Sequence, residues 1–268
     1  MAIVNGDFSF SGKLGNVSAF KKHGSDKTIL RTKGGASKQK IRTAKSFAAT
    51  RAINTEWKAV TATTRAFREA IHSVLHVADP ELTGNLNKLF KAIQVAADPA
   101  SRDKRPILIS SFPFLLEGLN VNQHRYFESV IRHPLAVTIN REGLSATVTI
   151  PELVAGVNFK NPGKEPLYRL VFSFIAIADH VYQESTKTYQ PSNKFPGLFA
   201  GHQTEWLSDK TGRPASVIEL EMKPKQPVTL QENTNLVLLA AVEFGIPGMD
   251  GNPNYVKYSG CGKVLAVG

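Results

Sequence analysis

The pattern of apolar and polar positions changes character twice along the chain. Over residues 1–35 it has the two-residue period of strands. Phe8 and Phe10 alternate with Ser9 and Ser11, just after the turn signal Asn5-Gly6-Asp7. Gly15–Lys22 and Lys27–Thr32 flank Gly24-Ser25-Asp26. That arrangement predicts a hairpin with Val17, Phe20, Ile29 and Leu30 as its apolar contacts, ended by Lys33-Gly34-Gly35.

Between residues 37 and 77 the apolar step becomes three or four. Ile41, Ala44, Phe47, Ile53, Trp57, Val60, Phe67, Ile71 and Val74 follow that step, which predicts one long helix or a broken pair. Thr61, Thr63 and Thr64 lower helix propensity locally and predict a kink. Asp79-Pro80-Glu81 has the composition of a helix start, with Asp79 as N-cap, and Leu82, Leu86, Leu89, Phe90 and Ile93 supply the buried stripe. Residues 98–106 are polar with two prolines and predict a loop, and Phe112–Leu119 predicts a short helix.

From about residue 133 the period returns to two. Leu135–Asn140 and Leu144–Ile150 flank Arg141-Glu142-Gly143 as a second hairpin, and Leu167–Val181 reads as a central strand. Further strands are expected at 216–222, 226–230, 234–244 and 254–267. The expected fold class is α+β: an N-terminal β-hairpin arm (1–35), central helices (36–106) and a C-terminal antiparallel β-sandwich (107–268).

Charge sharpens this division. The net charge is +11, and residues 1–70 carry fourteen Lys/Arg against four Asp/Glu, whereas the remaining 198 carry nineteen against eighteen. Ten cations, among them Lys21, Lys22, Arg31, Lys33, Lys38, Lys40 and Arg42, fall within residues 21–51. Such a segment attracts anions, so nucleic acid is a candidate partner, although charge alone gives only non-specific binding. Phe8, Phe10 and Phe20 are the candidate contacts for self-association, by addition of an extended arm to a neighbour's sheet edge.

Other features narrow the chemistry. One cysteine, Cys261, excludes an internal disulfide framework. The apolar runs 170–178 and 236–246 fall short of the roughly 20 residues that span a bilayer, and the N-terminus lacks a Sec-type apolar core. A cytoplasmic protein without a membrane span is expected, and the sequon Asn16-Val17-Ser18 is given no weight.

Each chemical pattern is incomplete. His72 and His76 share a helical face, but Ser73 stands where a zinc protease motif needs glutamate. Asp250, Asn252 and Asn254 begin like a calcium loop, but Tyr255 and Cys261 replace the required Gly and Glu. Gly260-Cys261-Gly262-Lys263 lacks the hydroxyl residue of a P-loop, and Cys261 reads as a small residue at a strand edge. Asp179-His180 has no nucleophile elbow nearby, and His180 reads as a strand-end residue facing water. Glu219 and Glu221 read as a solvated sheet face. No catalytic residue, metal set, cofactor or small-molecule substrate is expected, and hence no enzyme.

Three N-terminal strings carry a resemblance: Gly12-Lys13-Leu14-Gly15-Asn16-Val17, Phe20-Lys21-Lys22 and Lys27-Thr28-Ile29-Leu30-Arg31-Thr32-Lys33. They resemble a family of uncharacterised Bacteroidota proteins, in which a G-K-V-G-N-V-V strand, a glycine turn and a K-T-x-x-R-x-K strand precede a basic helix. Here that helix would carry Lys38, Lys40, Arg42 and Lys45. Ala146–Pro151, Tyr168–Phe172 and Asp179–Tyr182 are similar as well. Ser18-Ala19 departs from the branched apolar residues usual in the family strand. The resemblance implies an order of elements, with an N-terminal hairpin and a β-sandwich-like C-terminal half, and no residue role. The reading that joins these observations is a structural subunit that self-assembles into an oligomer or filament through its basic N-terminal arm. The alternative is a non-specific nucleic-acid-binding protein using the same segment.

Overall fold

The N-terminal alternation forms a small sheet rather than a lone hairpin. The structure, a computed structural model, describes residues 2–4, 11–21, 27–32, 34–100, 103–193, 198–249 and 251–268. Two compact units are present, Met1–Arg51 and Ala52–Gly268.

In the first unit, β1 (Ala2–Val4), β2 (Gly12–Leu14), β3 (Val17–Lys21) and β4 (Thr28–Thr32) form an antiparallel sheet in the order β1-β4-β3-β2. The expected pairing of β3 with β4 is present. The additional turn is Gly15-Asn16, between β2 and β3. Gly15 has φ +56° and Asn16 is not in the left-handed region, the pattern of a type II′ hairpin turn. Phe8, Phe10, Lys22, Lys33 and the turn Gly24-Ser25-Asp26 lie outside the described residues.

The helical stretch is broken where Ala44 is extended (φ −72°, ψ 138°). α1 (Lys38–Thr43) is capped by the Ser37 hydroxyl, which accepts from Lys40 N at 3.2 Å. A single 3-10 turn, Lys45–Phe47, leads into α2 (Ala48–Ala70). α2 runs through the threonines without interruption. The Thr61 and Thr63 hydroxyls donate to carbonyl oxygens of Trp57 and Ala59, at 3.1 and 3.0 Å. Thr64 instead donates to Asn87 Oδ1 at 2.7 Å. The hydroxyls are satisfied without opening the helix.

In the second unit, α2 buries Glu56, Ala59, Val60, Thr63, Thr64 and Phe67, one stripe at helical spacing. α3 (Leu82–Ala97) answers with Leu82, Leu86, Phe90 and Ile93, and Phe67 meets Phe90 edge-on at 5.9 Å. The charged member of the stripe, Glu56, is held by Lys91 Nζ at 2.7 Å and Arg105 Nε at 3.3 Å. Residues 112–119 form no α-helix; 3-10 turns at Ile109–Ser111 and Pro113–Leu115 stand there instead. α4 (Phe127–Val130) is a single turn.

The β half begins with β5 (Ala136–Asn140) and β6 (Ser145–Ile150), paired through the expected turn. β7 (Leu167–Ala178) is followed by the hairpin β8 (His180–Gln183) and β9 (Thr188–Pro191). β10 (Phe199–Gln203) and β11 (Leu207–Ser208) return along β7, and β12 (Ser216–Glu221) pairs with β6. β13 (Thr234–Pro247) pairs with β7 over twelve residues, and on its other side with β14 (Pro253–Tyr255) and β15 (Cys261–Val267). Residues 226–230 form no strand, and Pro227 among them lacks the N–H a ladder needs.

β13 is buried from Thr234 to Gly245, so its two faces feed two different cores. Val237, Leu239 and Ala241, with Val171, Ile175 and Ile177 of β7, join the core that holds Phe67 and Phe90. Leu236, Leu238 and Val242, with Leu170, Phe172 and Phe174, join the core that holds Ala146, Val148 and Ile150 of β6. The six-stranded sheet therefore carries helices on one face and the sheet β12-β6-β5 on the other. Gly260 lets β15 close on β13, because a Cβ there would stand 2.2 Å from the Val242 carbonyl oxygen. No described helix is long and apolar enough to cross a membrane.

Candidate functional site

The N-terminal sheet sorts the anticipated contact residues by face. Antiparallel partners project to the same side. The register Lys13↔Ser18↔Arg31 and Phe20↔Ile29 places these five on one face. Leu14, Val17, Ala19, Lys21, Thr28, Leu30 and Thr32 occupy the other. Of the four expected apolar contacts of the hairpin, Phe20 and Ile29 thus lie on one face and Val17 and Leu30 on the other.

Few of the described side chains on either face are buried. Among the described side chains of the first unit, Ala19 and Thr28 are the buried ones. Leu14 is 68% exposed and Phe20 38% exposed. The Arg31 guanidinium lies over the Phe20 ring, 5.6 Å from its centroid, which shields one side of it.

The remaining cations are spread around this unit. Lys21, on the face opposite Phe20, is exposed, as are Lys38, Lys40 and Arg42. On α1, Lys38 and Arg42 stand four apart on one side, and Lys40 is turned away from them. Lys40 and Arg42 sit in its last turn, where cations suit the helix dipole. Arg51 has a structural task. Its Nη1 donates to the Ile41 and Ala44 carbonyl oxygens at 2.9 and 2.8 Å, tying the end of α1 to the start of α2.

The second unit holds polar groups that sequence reasoning missed. Glu243 of β13 is buried, with Arg169 Nε 2.5 Å from its Oε2 and His76 Nε2 2.6 Å from its Oε1. Burial alone would raise the Glu243 carboxyl; His76 and Arg169 outweigh it and hold the group below its ordinary range. Trp206 covers Arg169 at 4.7 Å and Tyr255 leans on His76 at 4.5 Å. A cleft of about 420 Å³ opens beside this cluster, lined by Arg68, His76, Tyr255 and Lys257. Of the Glu243, Arg169 and His76 cluster, the sequence pattern points to His76 alone, and there as a neighbour of His72. His72 opens a 3-10 turn after α2 and is exposed against Phe199, whereas His76 lies beyond that turn beside Glu243; both line the cleft.

Other expectations change with burial. His180 does not face water. It is 2% exposed, its Nδ1 lies 3.2 Å from the Ala178 carbonyl oxygen, and burial pushes its pKa down to about 4. The Asp179 carboxylate turns to Ser110 instead, accepting from its N at 2.9 Å and its Oγ at 2.6 Å. Burial still raises the Asp179 pKa against those bonds. Cys261 is sealed within the sheet, and burial pushes its thiol up to about 12, far from a reactive thiolate. Glu219 and Glu221 are exposed on β12. Asp250 lies outside the described residues. Asp79 does not cap α3: Glu81 occupies the N-cap without a side-chain bond, and Asp79 Oδ2 accepts from Gln123 N at 2.6 Å.

No protein-family model matches the chain, and no match is found among curated proteins.

Proposed function

We propose that the chain is a structural subunit that self-associates through its N-terminal unit. The observation that carries this reading is how little the described side chains of this sheet bury: Ala19 is the one buried apolar side chain among them, and Leu14 and Phe20 are exposed. A small sheet needs a covered face to persist in water. β2 is an edge strand with all three residues exposed, so a second copy can extend the ladder there. The body of the subunit is the second unit, read as a sandwich of the six-stranded sheet and β12-β6-β5. Cys261, unpaired and buried, suits a reducing compartment, and the reading places the protein in the cytoplasm.

The nucleic-acid reading draws on the same cations, with Phe20 under Arg31 as a stacking platform. Salt separates the two by sign. Residues 1–51 hold eleven Lys/Arg against two Asp/Glu, so two copies repel each other there and screening favours their association. Binding to a polyanion weakens as salt rises, because counterions are released. Light scattering of the full chain between low and moderate salt is expected to show mass growing with salt. Deletion of residues 1–35 is expected to leave a monomer. A strict monomer at every salt concentration contradicts self-association. A gel shift that is strong at low salt and lost at moderate salt supports nucleic acid instead.

A further inference from the structure

The segments around the start of α3 bring three metal-binding side chains to one place. Asp79, Glu81 and His124 each offer a ligand atom within 4.8 Å of the other two. His124 Nε2 stands 3.7 Å from Glu81 Oε2. An ion about 2.0–2.2 Å from each nitrogen or oxygen ligand keeps those ligands roughly 3–4.4 Å apart, so this pair fits around one ion.

Asp79 supplies an independent sign. It is 5% exposed, and Gln123 N occupies its Oδ2. Its other oxygen, Oδ1, is sealed from solvent and has no hydrogen-bond partner. A buried carboxylate oxygen left unpaired is costly, and a cation removes the cost. The surrounding frame is tied together. Asp79 N donates to Val121 O at 3.2 Å. Asn122, 2% exposed, donates to the Val77 and Gly260 carbonyl oxygens at 2.9 and 3.0 Å and accepts from His124 N at 3.0 Å. The backbone of His124 is therefore anchored two residues before Asp79.

We propose that Asp79, Glu81 and His124 form a site for a divalent transition-metal ion. One imidazole nitrogen with carboxylate oxygens suits zinc, cobalt or manganese; calcium and magnesium take sets made of oxygen alone. Glu81 and His124 are exposed, which leaves room for water or another ligand on the ion. Asp79 and Pro80 also line the 420 Å³ cleft, so such an ion stands at its rim.

The test uses the full chain, stripped with a chelator and titrated with Co²⁺ and then Zn²⁺. One equivalent of Co²⁺ is expected, with visible bands distinct from the aqueous ion, displaced by Zn²⁺. His124→Ala should weaken binding at least about 100-fold, the upper end of what loss of an outer-shell partner costs. Glu81→Gln should weaken it as well. Both residues are exposed, so both variants should keep the wild-type circular dichroism. His133→Ala, which removes another exposed histidine, should change nothing. Absence of saturable binding, or binding that survives His124→Ala, overturns the site.

Discussion

The two units of the chain solve the problem of burial in opposite ways. Residues 52–268 bury long apolar strands on both faces, and two of their buried carboxylates, Glu56 and Glu243, are enclosed with cationic partners. Residues 1–51 carry most of the net positive charge and, among their described side chains, bury one apolar residue. The difference teaches where stability and where association should reside. The larger unit has a core to lose. The smaller unit has a surface to fill.

The largest expected effects lie in the larger unit. Phe90→Ala removes a fully buried ring packed against Phe67 and should cost roughly 3–5 kcal/mol in denaturant unfolding. Phe20→Ala, in the N-terminal sheet, should stay within about 1 kcal/mol for the monomer and weaken self-association instead. Equal losses from both would break the comparison.

Glu243→Ala comes close behind. It leaves Arg169 and His76 without their shared anion and should cost about 3 kcal/mol, the low end for breaking a buried ion pair. Equilibrium unfolding at pH 7 checks it, and a loss below about 1 kcal/mol would mean that the cluster is not held together by charge.

A pH effect should follow from His180. Its folded pKa of about 4 is below the ordinary 6.5, so the unfolded chain binds the proton first. Its contribution is complete above pH 6.5 and declines as pH falls toward 4, by about 3 kcal/mol in all. Glu243, held below its ordinary 4.5, acts in a separate window: its contribution is present above that value and is lost as pH falls through its lowered one. Unfolding measured across this range should show the His180 slope, and His180→Gln should flatten it between pH 6.5 and 4.

The smallest stability effect belongs to the cations of α1. Lys38→Ala, Lys40→Ala and Arg42→Ala alter exposed residues and should each shift stability by less than about 0.5 kcal/mol. Removing all three should lower the salt concentration at which association sets in.

What was legible in the chain depended on how local its cause was. β7 and β13 stood out because their apolar runs are nearly continuous, and β6 because its apolar positions alternate. The hairpin of β3 and β4 stood out because turn residues separate two short alternations. β10 did not, because Gly201 and His202 interrupt its pattern and its place is set by β7, some thirty residues earlier. Residues 226–230 misled in the other direction: two branched apolar positions looked like a strand, and Pro227 prevents one. The polar groups were least legible. Glu243 reads as one charge in an apolar run, and its partners stand 74 and 167 residues away in the chain. Asp79 had the signature of a helix cap, and its side chain was taken by Gln123 of a distant loop. Long-range pairing, not local propensity, decides such roles.

The most direct test of the association claim is amide hydrogen exchange of the full chain at moderate salt, compared before and after dilution. The account predicts that Gly12–Lys21 loses protection as copies separate, while Thr234–Pro247 keeps its protection unchanged. Protection of Gly12–Lys21 that does not depend on concentration would contradict it.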